Sequence, residues 1–322
     1  MTETIESPQT QDLIVEVPKF LHWEKAPNPL VSEVAKAQQR QHEKQRPLNI
    51  NNPSENEGIY LLPNWERYEI LKIGQRRGFR DLWPRGGSAH NVTFCIAELR
   101  KPDGTLGNLN VAVKPFAKAL GALTDATNNA IVLDRGISTT NPIGVIIDDG
   151  KGIIITPAIR GVQQVDTEPW HQFVISSGGI RRHFINRLAQ MGMILADLHL
   201  NGINHSDAQV KNFWINPQTG RMEPFDWEAS RIFDNPPSAE DLKQISVNDL
   251  RVLFDSITNQ YEESPIQAIS GPKTTRWELF KRYIFDPYSD RLLETFPEGL
   301  LSEEHILELI LERRFKRIVS KK

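Results

Sequence analysis

An α+β fold of two lobes is predicted from three observations. Hairpin-like apolar runs cluster between residues 91 and 156, helical apolar stripes begin beyond Pro157, and 322 residues are enough for one large domain or two lobes. Residues 1 to about 58 are rich in Gln, Asn, Glu and Pro with no sustained apolar period. Leu13 to Trp23 and Val31 to Arg46 could dock or form a polar helix, but neither could bury a core alone, so 1–58 is expected to be a polar, flexible N-terminal arm. The globular part then divides into a strand-rich lobe over 59–160 and a helical lobe over 161–322.

In the first lobe, Asn91 to Leu99 carries β-branched and aromatic residues and reads as a strand. Pro102-Asp103-Gly104 through Asn108 supplies turn chemistry, and Leu109 to Lys114 returns as the second strand of a hairpin. Ile143 to Ile147 and Gly152 to Thr156, separated by Asp148-Asp149-Gly150-Lys151, form another. In the second lobe, Phe184, Leu188, Met191, Leu195 and Leu198 recur at steps of three and four, the stripe of a core helix. Ile245 to Ile257 and Ile306 to Ile318 are further helical patterns. Ser302 with Glu303 and Glu304 is suited to cap the last, and Arg313, Arg314, Lys316 and Arg317 to its C-terminal dipole.

Composition excludes several classes. Lys and Arg total 38 against 41 Asp and Glu, a net charge of −3, so no bulk attraction to nucleic acid or an anionic membrane is expected. The single Cys95 excludes an internal disulfide framework and a Cys-rich zinc site. No apolar run approaches the roughly 18 residues of a membrane span. The acidic, polar start from Met1 to Pro8 lacks the pattern of a secretory signal, and the expectation is a cytoplasmic protein.

Chemistry concentrates in one stretch. After the core helix, residues 198–213 carry His205, Asp207 and, five residues on, Asn212; a turn at Pro217 to Gly220 leads into Met222 to Glu228 with Asp226. The order is helix, polar loop, short strand, turn, short strand. Two carboxylates and an amide on adjacent loops make an oxygen-rich set suited to a hard divalent cation such as Mg²⁺. The spacing His199-x₅-His205-x-Asp207 also invites a metallohydrolase reading, but it lacks the helical i,i+4 histidine pair and a separate general base. Trp214 and Trp227 read as core aromatics rather than stacking platforms.

These residues resemble the catalytic core of the protein-kinase-like phosphotransferases. His205-Ser206-Asp207 with Asn212 stands where that family has H-R-D-x-x-x-x-N, and Phe225-Asp226-Trp227-Glu228 resembles a variant of D-F-G. Val111-Ala112-Val113-Lys114 matches V-A-I-K on a strand, and Asp249 falls where a helix-borne aspartate ties down the catalytic loop. The resemblance spans roughly residues 70–280.

It implies an ATP- and Mg²⁺-dependent transfer of the γ-phosphoryl group to a hydroxyl acceptor. Asp207 and Lys114 are then the catalytic pair, Lys114 holding the α- and β-phosphates and Asp207 orienting the acceptor. Asn212 and Asp226 would bind Mg²⁺, with His205 and Asp249 in structural support. Gly86, Gly87 and Ser88, in the run Arg85 to Val92, are the candidate phosphate loop, with Gly74 to Gly78 as competitor. Thr156 and Ala158, in the segment ending at Ile159, would wall the adenine. The glutamate expected to pair with Lys114 is missing, which leaves Asp125 or Asn129.

The departures favour an atypical or small-molecule-type kinase. Ser206 replaces the arginine that reads a phosphorylated activation loop, Gln209 stands where a lysine is usual, and Glu228 replaces the glycine of D-F-G. Asp226 and Asp249 are only 23 positions apart, with no A-P-E between them. The expected partners are ATP and a hydroxyl-bearing protein or small molecule, with residues 1–58 or the C-terminal helix as a surface for a protein partner. The alternative is a kinase-like pseudoenzyme that binds nucleotide or a partner without turnover.

Overall fold

The computed structural model describes residues 45–75, 92–158, 163–164, 180–216, 219–234, 237–260, 276–296, 302 and 304. The expected arm over 1–44, the last helix over 306–318 and the run from Arg85 to Asn91 lie outside them, as do the side chain of Phe184 and the middle of the turn at Pro217. The chain is α+β and divides into two compact units. One is Met1–Ala130 with Asn141–Arg160, the other Ile131–Thr140 with Gly161–Lys322.

The first unit is built on a seven-stranded sheet. Its strands are β1 (Gln45–Pro47), β2 (Gly58–Leu61), β3 (Glu69–Gln75), β4 (Thr93–Arg100), β5 (Leu106–Phe116), β6 (Gly144–Asp148) and β7 (Lys151–Pro157), in spatial order β1-β2-β6-β7-β5-β4-β3. All pairings are antiparallel except β1 with β2. The helix α1 (Ala119–Asp134) follows β5. Alternation along each strand sorts side chains to two faces. Ile59, Leu61, Val111, Val113, Ile146, Ile153 and Ile155 form one core. Tyr60, Val145, Ile147 and Ile154 face the other way and pack with Ala119, Ala122, Leu123, Ala126 and Ala130 of α1. A Cβ on Gly152 would meet Ala122 Cβ at 2.4 Å, so its bare backbone is what lets α1 settle on β7.

The arm expected to run to about residue 58 is corrected at its end. β1 pairs with β2 through Gln45↔Ile59 to Pro47↔Leu61, and Leu48 is buried. Three strand residues with a proline are too short for a period to reveal, and their stability comes from pairing with β2. The hairpins β4–β5 and β6–β7 form over the segments that their turn chemistry marked. β5 starts earlier than the apolar run because its register with β4 continues to Arg100↔Leu106.

The second unit is mainly helical. It contains β8 (Gln163–Gln164), α2 (Ile180–Leu200), β9 (Ile203–Asn204), a 3₁₀ turn (Val210–Asn212), β10 (Phe213–Ile215), β11 (Met222–Pro224), β12 (Arg231–Ile232) and α3 (Ala239–Gln260). A last helical stretch runs through α4 (Arg276–Phe280), a π-turn (Lys281–Phe285) and α5 (Asp286–Leu293). Its core joins Leu188, Met191, Leu195 and Leu198 of α2 to Leu250, Leu253, Phe254 and Ile257 of α3, and to Phe280, Ile284, Phe285, Tyr288 and Leu292. A Cβ on Gly192 would meet the Ile284 carbonyl oxygen at 2.3 Å, so α2 and the π-turn touch backbone to backbone there. Ser238 and Asp241 cap α3 reciprocally, each backbone N–H reaching the other's side-chain oxygen at 3.2 Å. Among the described residues no helix is long and apolar enough to cross a membrane.

Candidate functional site

In the first unit, β5 carries Lys114 opposite Ile154 of β7. Lys114 Nζ lies 3.0 Å from Asp125 Oδ2, with the two side chains 19% and 9% exposed. It also sits 4.6 Å from the centroid of the Phe116 ring. The choice left open between Asp125 and Asn129 thus falls to Asp125, one helical turn nearer the N-terminus of α1. The apolar residues of α1 face the sheet core, and Asp125 stands beside that stripe at the right height for β5. Thr156 pairs with Ala112, and Ala158 N–H donates to Asn110 O at 2.7 Å, so both stay attached to the strand of Lys114. The candidate phosphate loop, Gly86, Gly87 and Ser88, lies outside the described residues. Of the competing run, Gly74 is the last-but-one residue of β3 and residues 76–78 are likewise outside.

In the second unit, the loop after β9 is held from beneath by α3. Asp249 is fully buried on the apolar face of that helix. Its Oδ2 accepts from His205 N–H at 2.8 Å and from His199 Nε2–H at 3.0 Å, and its Oδ1 accepts from Ser206 N–H at 2.8 Å. Ser206 adopts φ +63°, a left-handed conformation that costs a non-glycine residue about 1–3 kcal/mol unless its surroundings hold it. Asn204 Oδ1 accepts from the same Ser206 N–H at 3.0 Å.

That bend carries the chain to Asp207, whose carboxylate is held by two amides. Gln209 Nε2 donates to Oδ1 at 2.5 Å and Asn212 Nδ2 to Oδ2 at 2.9 Å; Asn212 Nδ2 also reaches the Asp207 carbonyl at 2.8 Å. Asn212 is 2% exposed. With its amide protons committed to Asp207, its Oδ1 is the atom left to meet a cation.

The β10–β11 hairpin brings the second carboxylate alongside. Phe213 pairs with Pro224, and one step further Phe225 N–H donates to Asn212 O at 3.0 Å. Asp226 follows at once, with φ +72°. His205 supports the same segment: its Nε2–H donates to Phe225 O at 3.0 Å, and its ring lies 4.8 Å from that of Trp227 and 6.3 Å from that of Phe213. Trp214 and Trp227 are both buried, as core aromatics should be.

The metallohydrolase reading does not survive this geometry. Both ring nitrogens of His199 are engaged, Nε2 with Asp249 and Nδ1 with the Tyr288 hydroxyl at 2.8 Å. Among the described residues no three His, Cys, Asp or Glu side chains are placed to hold a metal. Asp226 and Asn212 carry one carboxylate and one amide oxygen on adjoining segments, donors of the hard type that could hold a divalent cation.

Two residues that the sequence did not single out also grip this region. Arg135, just past α1, donates to the carbonyls of Asn201 and Phe233, the latter at 2.8 Å, and so clasps the end of α2 to the segment after Asp226. Thr139 bonds to Pro224 and Trp227. Neither position carries a motif, since each works only through residues far along the chain. Glu223 in β11 is 4% exposed and accepts from Ser138 Oγ at 2.9 Å and Asn216 Nδ2 at 3.0 Å. Burial pushes its carboxyl above the usual range, with the two hydrogen bonds opposing. Burial likewise pushes the Cys95 thiol up to about 12, which leaves it inert as a nucleophile.

No protein-family model matches the sequence, and no curated protein matches it. Among solved structures the chain is similar to WaaP in complex with acyl carrier protein, with TM-score 0.44 and 16% identity, covering 76% of this chain and 98% of that one.

Proposed function

We propose that the protein is an ATP- and Mg²⁺-dependent phosphotransferase that moves the γ-phosphoryl group to a hydroxyl acceptor, as an atypical Ser/Thr protein kinase or a small-molecule kinase. The observation that carries this reading is the loop from His205 to Asn212. It is anchored by Asp249, presents Asp207 between two amides, and has Asn212 bonded through the backbone to the residue before Asp226. Phosphoryl transfer asks little covalent chemistry of a protein; it asks for positioning and for charge placed where the phosphoryl oxygens accumulate it.

Asp207 is assigned to orient the acceptor hydroxyl and to take its proton as the new O–P bond forms and the bond from the γ-phosphorus to the bridging oxygen breaks. Gln209 and Asn212 hold its two oxygens without neutralising them, so the group stays a fixed acceptor. Asn212 and Asp226 would hold Mg²⁺, which when bound supplies positive charge to the phosphate oxygens. Lys114 is assigned to the α- and β-phosphates, and Thr156 and Ala158 to the adenine side. What supports an active enzyme over a nucleotide-binding scaffold is the Lys114–Asp125 pair, which replaces the missing glutamate with another carboxylate.

The test is the thermal shift produced by ATP with and without Mg²⁺, followed by ATP turnover. A Mg²⁺-dependent rise in Tm is expected in the wild type and is expected to vanish in Asp226→Asn and Lys114→Ala. Asp207→Ala should keep nucleotide binding and lose turnover by about 10²–10⁴-fold. No Mg²⁺-dependent rise in the wild type would overturn the assignment. Binding that is intact with no turnover against any hydroxyl acceptor would leave the pseudoenzyme.

A further inference from the structure

Asp226 is held in a backbone conformation that aspartate rarely adopts, and the residue that braces it lies in the loop after α1. Thr139 is 7% exposed, and its hydroxyl has two partners on either side of Asp226. The Pro224 carbonyl lies 2.6 Å from Thr139 Oγ1, and Trp227 Nε1 lies 3.0 Å from the same atom. The proton directions are fixed by chemistry. A carbonyl can only accept and an indole N–H can only donate, so Thr139 O–H donates to Pro224 O while its lone pair accepts from Trp227. One small hydroxyl therefore spans the four residues Pro224 to Trp227.

Pro224 has no N–H of its own, and Phe225 N–H is committed to Asn212 O. The ladder of β11 ends there, and the turn that carries Asp226 at φ +72° has left the strand. Staying in that region costs a non-glycine residue about 1–3 kcal/mol, a cost that persists only where neighbours over-determine the conformation. Thr139 supplies that constraint from across the chain, and Ser138 beside it extends the clasp by donating to Glu223 Oε1 at 2.9 Å.

We propose that Thr139 is a positioning residue for Asp226, setting the carboxylate for divalent-cation binding by clamping Pro224 O and Trp227 Nε1 together. The proposal rests on the assignment of Asp226 as a Mg²⁺ ligand. Residues that orient a ligand from the outer shell typically change metal affinity by about 10–100-fold when removed.

The test compares Thr139→Val, which keeps the shape and removes both hydrogen bonds, with Thr139→Ser, which keeps the hydroxyl. In ¹H–¹⁵N spectra of the protein without nucleotide, Thr139→Val should move the Trp227 indole signal and the Asp226 and Trp227 backbone amides, and Thr139→Ser should restore them. With ATP, Thr139→Val should raise the Mg²⁺ concentration for half-maximal thermal stabilisation by about tenfold or more, with Thr139→Ser near wild type. Should Thr139→Val fail to fold, Trp227→Phe removes one half of the clamp and is expected to give the same direction with a smaller change.

The proposal is overturned if the Asp226 and Trp227 signals stay in place in Thr139→Val. It is equally overturned if they move while the Mg²⁺ requirement does not and Asp226→Asn abolishes Mg²⁺-dependent binding. If Asp226→Asn itself leaves Mg²⁺-dependent binding intact, the ligand assignment falls, and with it the metal-directed role of Thr139.

Discussion

Replacing Asp249 tests how far the loop from His205 to Asn212 depends on a single buried carboxylate. In Asp249→Ala, His205 N–H and His199 Nε2–H lose their acceptor inside a fully buried site, while Ser206 N–H retains Asn204 Oδ1 at 3.0 Å. Two orphaned donors at about 1–3 kcal/mol each give a loss of roughly 2–6 kcal/mol. Asp249→Asn keeps one acceptor oxygen. With that oxygen placed where Oδ2 stands, it still receives His199 and His205; the Ser206 bond and the charge assistance are lost and the new NH₂ faces the Ser206 N–H donor, for at least about 2 kcal/mol. The assay is urea unfolding followed by far-UV circular dichroism. The midpoint should fall in the order wild type, Asn, Ala with little change in slope. Hydrogen exchange at the Ser206 amide should accelerate in both variants, because the left-handed bend is no longer held on both sides. An Asp249→Asn protein within about 0.5 kcal/mol of wild type, or one no better than Asp249→Ala, would refute the reasoning.

Two further predictions concern the packing around the site. Glu223 has its folded-state pKa raised by burial, so the folded chain holds its proton to higher pH than the unfolded chain does, and stability falls as pH rises through that interval. Glu223→Gln keeps the oxygen that receives Ser138 and Asn216 and removes the charge. It should therefore raise Tm at pH 8 by a few degrees and leave it nearly unchanged near pH 4; equal Tm at both pH values would refute the linkage. Gly192→Ala places a methyl where the Ile284 carbonyl oxygen stands 2.3 Å away. Backbone has to move on one side, and a loss of about 1–3 kcal/mol in chemical denaturation is expected; an unchanged midpoint would show that α2 and the π-turn separate freely.

Local pattern determined much of this protein. Short apolar runs separated by Asp148-Asp149-Gly150-Lys151 form the β6–β7 hairpin, and the stripe Leu188, Met191, Leu195 and Leu198 faces the core of the second unit. The α+β class follows from where the turn-bounded apolar runs and the helical stripes fall. The residue types that make an oxygen-rich loop were equally legible, because His205, Asp207 and Asn212 lie within one short stretch. What pattern could not supply was pairing over distance. β1 is three residues long and exists through β2; Asp125 rather than Asn129 meets Lys114 in an α1 that packs on β7 with Ala119 and Ala122 against Gly152. Arg135, Thr139 and Tyr288 have ordinary neighbours in sequence and reach their partners across gaps of 66 to 98, 85 to 88 and 42 to 89 residues respectively. A hydrogen bond between such residues leaves no period and no spacing rule. It is fixed only when the hydrophobic surfaces of separate elements have closed and brought one donor and one acceptor to the same place.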